Sequence, residues 1–138
     1  MQDSMERPQH VPVMQEDLSI TEIVNSLLHY AYTTGASDIH IDPESNRVRV
    51  RVRIDGMLHE AYVVPKKIQH EIVSRIKVLA GLRLDVQNAA QDGRFRMAFH
   101  DQAGTEEEID IRVSVIPAHY GEKTVLRLLT QPVQAFTL

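Results

Sequence analysis

Arginine occupies every second position in one segment of the chain. The residues are Arg47, Arg49, Arg51 and Arg53. Side chains two positions apart on a β-strand lie on the same face, so these guanidinium groups would form a cationic row, here called the arginine stripe. The stripe could bind phosphates or an acidic partner, or each arginine could pair with a carboxylate of a neighbouring strand. The paired, solvated face is the favoured interpretation.

Two further arginines are each embedded in an apolar strand pattern. Arg112 lies within residues 110–114, and Arg127 lies within residues 125–129. A guanidinium group on a covered sheet face needs a carboxylate, a carbonyl or a ligand phosphate, because an unpaired buried charge is strongly unfavourable. From the residues alone, an internal salt bridge is the favoured explanation for both, and a phosphate contact is the alternative.

Other familiar patterns of catalytic and metal-binding residues do not occur in the sequence. None of the seven histidines forms the i, i+4 pair that marks metalloprotease zinc sites, and cysteine is absent, so no metal site is predicted. The run from Gly121 to Thr124 resembles the end of a phosphate-binding loop, but it has a single glycine. Asp38 and Asp42 are interpreted as an exposed polar strand face, not as an acid–base pair.

Length and composition indicate one soluble globular domain. The chain has 138 residues, of which 43% are hydrophobic and 25% are charged. The 15 basic and 19 acidic residues give a net charge of −4, which provides no bulk field for nucleic acid or an anionic membrane. The sequence shows neither an apolar segment that could span a bilayer nor a signal peptide, so we expect a cytoplasmic location.

The elements that position these arginines begin after a polar segment, residues 1–17, which reads as a flexible arm or linker. Ser19 and Glu22 form a capping-box pattern, and apolar residues then recur at helical spacing up to Gly35. A short strand begins after Ser37, and Arg47 to Ile54 alternate between arginine and an apolar residue. Asp55-Gly56 predicts a two-residue hairpin turn, and the chain should return from Met57 to Val64.

The second half of the chain is predicted to hold one helix and three strands. The helix should start with Pro65 at its first position and end at Gly81, and the segment from Leu82 to Gln91 could hold a short helical turn. The strands should run from Gly93 to His100, from Ile109 to Ile116 and from Thr124 to Leu129, with a loop from Asp101 to Glu108. The segments from Gln91 to Arg94 and from Tyr120 to Lys123 read as tight turns. These elements predict an α+β fold, with a largely antiparallel sheet and helices packed on one face.

Taken in order, six segments resemble the region just before the motor core of type II secretion and type IV pilus assembly ATPases. They are ASDIHIDP from Ala36, RVRIDG from Arg51, SRIKVLAG from Ser74, QDGR from Gln91, DIRVS from Asp110 and GEKTVLRLL from Gly121. The resemblance covers about residues 20–130 and rests on the order of the segments as much as on any one of them. It implies a PAS-like N2 domain over residues 18–138, followed in the family by a RecA-like motor domain that carries the Walker motifs.

The resemblance also implies roles for individual arginines. In the family, arginines on the last strands of the N2 domain reach the ATP phosphates, and by motif position these are Arg112 and Arg127. Arg53, Arg75 and Arg94 would serve an interface or line the same cleft. ATP and Mg²⁺ would be the cofactors of the full-length ATPase. This chain lacks Walker motifs and is expected to be an excised domain with no ATPase activity, no bound cofactor and at most weak nucleotide binding.

The partners implied by the resemblance are the domain's own and neighbouring motor domains in a homo-hexamer, together with inner-membrane platform proteins. Membrane association would therefore be peripheral, and no nucleic acid is expected. Two departures are Ala90, where the family has a proline, and a segment from Leu84 to Ala89 that lacks the usual basic residues. The alternative is a stand-alone PAS-like module that binds a small ligand or a protein without ATP.

Overall fold

The computed structural model describes Pro12 and residues 18–130 of the chain. These residues form two α-helices, α1 (Ile20–Thr34) and α2 (Gln69–Ala80), and a short 3-10 helix (Lys66–Ile68). They also form six strands: β1 (Asp38–Pro43), β2 (Arg47–Ile54), β3 (Met57–Pro65), β4 (Gln91–His100), β5 (Glu106–Ala118) and β6 (Gly121–Leu129).

The strands form one antiparallel sheet in the order β3-β2-β1-β6-β5-β4. β1 lies between β2 and β6, so it joins the first three strands of the chain to the last three. Its register pairs Ile39 with Val52 on one side and with Leu126 on the other. The predicted α+β class, with an antiparallel sheet and helices on one face, is confirmed.

The core lies between the two helices and the inner face of the sheet. Alternation along β2 places Val48, Val50 and Val52 on this face, where each is 1% exposed, and the arginines of the stripe on the other. The apolar side of α1, including Ile23 and Leu28, packs into the same cluster. Apolar burial therefore fixes which face of every strand points outward, and the charged side chains follow.

The local signals at the ends of α1 act as predicted. The Ser19 hydroxyl accepts a hydrogen bond from the Glu22 amide at 3.0 Å, and the Glu22 carboxylate accepts one from the Ser19 amide at 2.9 Å. Gly35 ends the helix in the left-handed conformation, with φ of 73°. The Asp55-Gly56 turn has positive φ at both residues, as a tight hairpin between β2 and β3 requires.

Several predicted boundaries in the second half are wrong. Pro65 is the last residue of β3 rather than the first of a helix, because the chain passes through the 3-10 turn before α2 begins. The segment between α2 and β4 contains turns and bends but no helical turn. β4 starts two residues earlier than predicted, at Gln91, and β5 starts at Glu106, within the predicted acidic loop, because backbone pairing continues to His100↔Glu106.

Gly93 belongs to β4, so the predicted tight turn from Gln91 to Arg94 is also wrong. The glycine is needed for a different reason. A Cβ atom added at Gly93 would lie 2.7 Å from the carbonyl oxygen of Ala80 and 2.8 Å from a methyl carbon of Leu82. The end of α2 therefore packs directly against the backbone of β4, and only a residue without a side chain allows this approach.

A buried ion pair connects α2 to β6. Lys77 is 2% exposed, and its ammonium group lies 2.9 Å from the carboxylate of Glu122 at the start of β6. It also donates a hydrogen bond to the carbonyl oxygen of Val86 at 2.8 Å. One side chain thus connects α2, β6 and the segment that leads into β4.

The arm predicted for residues 1–17 lies outside the described residues, except for Pro12. The carbonyl oxygen of Pro12 accepts a hydrogen bond from the Val63 amide, on the edge strand β3, at 2.9 Å. Within the part of the chain that the structure describes, no helix has the length and apolar character that crossing a membrane requires.

The Gly93→Ala variant should be less stable than the wild type by about 1–3 kcal/mol, because the new methyl group overpacks the contact between α2 and β4. Urea unfolding followed by circular dichroism measures this difference. Asp92→Ala is the control: it changes the neighbouring exposed residue, and its effect should stay within about 0.5 kcal/mol. Equal stability of Gly93→Ala and the wild type would contradict the close approach.

Candidate functional site: a row of arginines across the sheet

The arginine stripe lies on the outer face of β2, and each of its members has an acidic partner. Arg47 contacts Glu44 at 2.7 Å, Arg51 contacts Asp42 at 2.6 Å and Arg53 contacts Asp38 at 3.3 Å. Arg49 binds both Glu44 and Glu60. The favoured interpretation, a solvated face on which arginines pair with carboxylates of neighbouring segments, is confirmed.

Hydrogen bonding within the stripe perturbs its carboxylates. The hydrogen bond from Arg49 lowers the pKa of Glu60 below its ordinary value of 4.5, and the hydrogen bond from Arg47 does the same for Glu44. The same Glu60 contact raises the pKa of Arg49. The stripe is therefore locally neutralised and offers little net charge to an outside anion.

A second line of charged residues crosses the sheet at right angles to the strands. Strand register places its members directly opposite one another, in the order Arg53, Asp38, Arg127, Arg112 and Arg94. We call these five residues the cross-sheet row. Directly opposite side chains on one face of an antiparallel pair have Cβ atoms about 4.5–5.5 Å apart, so neighbouring guanidinium groups of the row can reach one ligand.

Asp38 is the acidic member of the row, and the structure buries it. Its side chain is 8% exposed, which corrects the prediction of an exposed polar face. The two carboxylate oxygens lie 3.3 Å from Nε of Arg53 and 3.4 Å from Nε of Arg127. His40 lies beside them, 3.6 Å from the carboxylate; burial lowers the pKa of His40, although the charge of Asp38 opposes this effect.

Arg112 and Arg127 lie on the open outer face of the sheet and not on a face that the helices cover. Arg112 is exposed, and the Arg127 side chain is 61% exposed despite its contact with Asp38. Within residues 18–130, the side chains of Arg112 and Arg94 have no hydrogen bond or ion pair. Among the described residues, the internal salt bridge favoured from the residues alone is therefore present in part for Arg127 and absent for Arg112.

A surface depression of about 410 Å³ adjoins these side chains. Arg112 and Arg127 line it together with Ser114 of β5 and Asp92 of β4. Guanidinium groups are planar donors that suit phosphate or carboxylate oxygens, and the Ser114 hydroxyl is a further donor. The depression can therefore accept an anionic group, with Asp92 as the one acidic residue of its lining.

The structure brings together Arg53, Arg94, Arg112 and Arg127 but not Arg75. Arg75 lies on α2, behind the inner face of the sheet, so its suggested place at an interface stays a prediction. Sequence reasoning missed the contact of Asp38 with Arg127, because 89 positions separate the two residues. Period-two alternation places Asp38 on the outer face, but only the pairing of β1 with β6 places it beside Arg127.

Comparison with known proteins gives the chain its family. A family model described as type II/IV secretion system protein matches residues 13–138. The chain belongs to this family. The match confirms the resemblance that the ordered motifs indicate, and it includes the strands that carry the cross-sheet row.

Individual relatives agree with the family match. The type IV pilus assembly ATPase PilB of Myxococcus xanthus is 40% identical over 114 residues, which cover 83% of this chain and 19% of the relative. The type II secretion system protein E of Xanthomonas campestris is 35% identical, with 89% and 21% covered, respectively. The type II secretion system ATPase E of Vibrio cholerae is 36% identical, with 90% and 24% covered. The chain thus spans roughly a fifth of the length of these relatives.

The pH dependence of stability in the Glu60→Gln variant tests whether the ion pair of Glu60 with Arg49 stabilises the fold. Because the folded-state pKa of Glu60 is lowered, its ionised form stabilises the fold above the unfolded value of 4.5, and this contribution is lost as the pH falls through the folded-state pKa. The variant should be less stable than the wild type by about 0.2–1 kcal/mol at neutral pH, because Glu60 is partly exposed.

The measurement is the free energy of unfolding in urea for both proteins between about pH 7 and pH 3. The difference between them should shrink toward zero at the acidic end. A difference that stays constant over the whole range would mean that Glu60 acts through packing and not through its charge.

Proposed function

We propose that this chain is the N2 domain of a hexameric secretion or pilus-assembly ATPase, and that Arg112 and Arg127 bind the phosphates of ATP held by a motor domain. Arg94 continues the same row and is a third candidate contact. The observation that carries the proposal is the run Arg127, Arg112 and Arg94, three cations directly opposite one another on adjacent strands.

Like charges directly opposite on adjacent strands destabilise a sheet, by roughly 0.2–1 kcal/mol for each pair. On the other half of the same face, every arginine of the stripe has a carboxylate within ion-pair distance. Arg112 and Arg94 differ from them, because no carboxylate of the described residues bonds to the side chain of either. An anion supplied from outside the domain would remove the repulsion, and a triphosphate has the charge to do so.

The chemistry that this chain would contribute is binding and orientation. Guanidinium groups form charge-assisted hydrogen bonds with phosphate oxygens, often two from one arginine, and these bonds strengthen where water is excluded. ATP with its Mg²⁺, when bound in the complete protein, would supply the phosphate chain to be cleaved. Arg112 and Arg127 would hold that chain against the sheet, and the rigid sheet would transmit the accompanying domain rotation.

The names of the relatives support this reading over a module that does not use ATP. PilB of Myxococcus xanthus and protein E of Vibrio cholerae are both called ATPases. We further propose that residues 18–138 form one domain after an arm of residues 1–17. The domain would pack on its own and a neighbouring motor domain, and the assembly would be cytoplasmic and meet the inner membrane through platform proteins.

Inorganic triphosphate should bind to this chain, and Arg112→Ala and Arg127→Ala should each weaken the binding about 10-fold or more, because a hydrogen bond to a charged group contributes about 1.5–3 kcal/mol. Chemical-shift titration measures the dissociation constants. In a longer protein that includes a motor domain, the same substitutions should lower ATP hydrolysis.

Arg96→Ala is the matched control. Arg96 lies on the same face of β4, two residues from Arg94, and it pairs with Asp110 at 2.8 Å and with Glu108 at 3.6 Å. Its removal changes the net charge by the same amount but takes no member from the row. Equal weakening by Arg96→Ala and Arg112→Ala would mean that the anion responds only to net charge, and it would refute the assignment. The absence of any binding would also refute it.

A further inference from the structure

We propose that Asp38 is a positioning residue for this site: its buried carboxylate holds Arg127 by Nε, so that the terminal nitrogens of the guanidinium group face the anion. The inference rests on the proposed function of Arg127, and it gives Asp38, the acidic member of the cross-sheet row, a role in phosphate binding. Asp38 would not touch the phosphate itself.

Only one end of the Arg127 guanidinium group has a bonding partner among the described residues. Nε lies 3.4 Å from Oδ1 of Asp38, whereas no described residue bonds to the terminal nitrogens. The side chain is 61% exposed, so it is open to a ligand that approaches the outer face. An arginine held in this way keeps the pair of donors that fits a phosphate group.

The carboxylate is well placed to hold the arginine because it can hardly move. Asp38 has a short side chain with 8% exposure, and it begins the central strand β1, which is paired on both sides. Its second oxygen lies 3.3 Å from Nε of Arg53, and Arg53 in turn donates to the carbonyl oxygen of Gly56 at 2.9 Å. The opposing arginine therefore anchors the carboxylate from the other side.

Arg112 provides the internal contrast. It stands directly opposite Arg127 on β5, but no described residue forms an ion pair or a hydrogen bond with its side chain. An unheld arginine loses its rotamer freedom only when the ligand arrives, whereas Arg127 has already lost much of it in the folded state. The row thus combines one preorganised contact with one adaptable contact.

Charge and positioning make opposite predictions for Asp38. A carboxylate beside an anion site repels the anion, so on electrostatic grounds alone its neutralisation should strengthen binding. If Asp38 acts by holding Arg127, neutralisation should weaken binding because the guanidinium group becomes mobile. The sign of the change therefore decides between the two.

The experiment is titration of inorganic triphosphate into the 138-residue chain and its Asp38→Asn variant, whose folding is checked by circular dichroism. We expect the dissociation constant of Asp38→Asn to rise about fivefold or more, the equivalent of one lost hydrogen bond. Asp110→Asn is the matched control, because it neutralises a carboxylate on the same face, two residues from Arg112, that pairs with Arg96 and not with the row. It should leave binding unchanged or strengthen it.

Nitrogen relaxation of the arginine Nε–H groups gives a second readout that needs no ligand. In the wild type the Arg127 group should be ordered and the Arg112 group mobile, and in Asp38→Asn the Arg127 group should become mobile as well. Asp38→Glu keeps the charge but displaces the carboxylate by one methylene group, so it should also weaken binding; it replaces Asp38→Asn if that variant does not fold.

The outcomes separate this inference from the proposed function. Binding that is lost in Arg127→Ala but unchanged or stronger in Asp38→Asn and Asp38→Glu would overturn the role of Asp38 and leave the phosphate site standing. A mobile Arg127 in the wild type would overturn it as well. The absence of triphosphate binding to the wild type would refute the site, and with it any positioning role, whatever the relaxation data show.

Discussion

The antiparallel pairing of β1 with β6 is the constraint on which both the fold and the site depend. β1 has six residues, yet it is the only strand that connects the β2–β3 hairpin with the strands β4, β5 and β6 in the described sheet. The pairing places Ile39 beside Leu126 on the inner face, where both are almost fully buried. The same register places Asp38 beside Arg127 on the outer face. Apolar burial on one face thus sets the distances between charges on the other, because a slip by one residue would exchange the two faces.

The two halves of the outer face differ in how far their arginines are paired with carboxylates. On β2, every arginine of the outer face pairs with a carboxylate of a neighbouring segment, so charges cancel locally. On β6, β5 and β4, three arginines stand in line, and the nearest buried acid is at the end of the line. Asp38 belongs to both halves, since it bonds to Arg53 on one side and to Arg127 on the other. The boundary between a self-neutralised surface and an unneutralised one runs along the central strand.

Periodic apolar patterns made most of the fold predictable from the sequence, but the site depended on information of longer range. The capping box at Ser19, the alternation along β2 and the Asp55-Gly56 turn are local signals, and each acted as expected. The role of Gly93 could not be predicted from the sequence, because it depends on how closely α2 approaches β4. The burial of Asp38 was not readable either, since the strand that covers it comes almost ninety positions later. The exposure of Arg112 was not readable either, because the apolar residues around it do not show by themselves which face of the strand the helices cover.

Arg112 forms no ion pair or side-chain hydrogen bond with the described residues, and it stands opposite two like charges, Arg94 and Arg127, an arrangement that is unfavourable in a sheet. A lone surface arginine with a carboxylate opposite would be unremarkable, as on β2, and a polar uncharged residue would avoid repulsion from Arg94 and Arg127 altogether. The fold does not require the charge, because the inner face of β5 supplies the apolar contacts through Ile111 and Val113. The proposed anion site would account for a positive charge at this position. In the proposed site the anion would neutralise the row, and Asp38 would hold one of its contacts ready before that anion arrives.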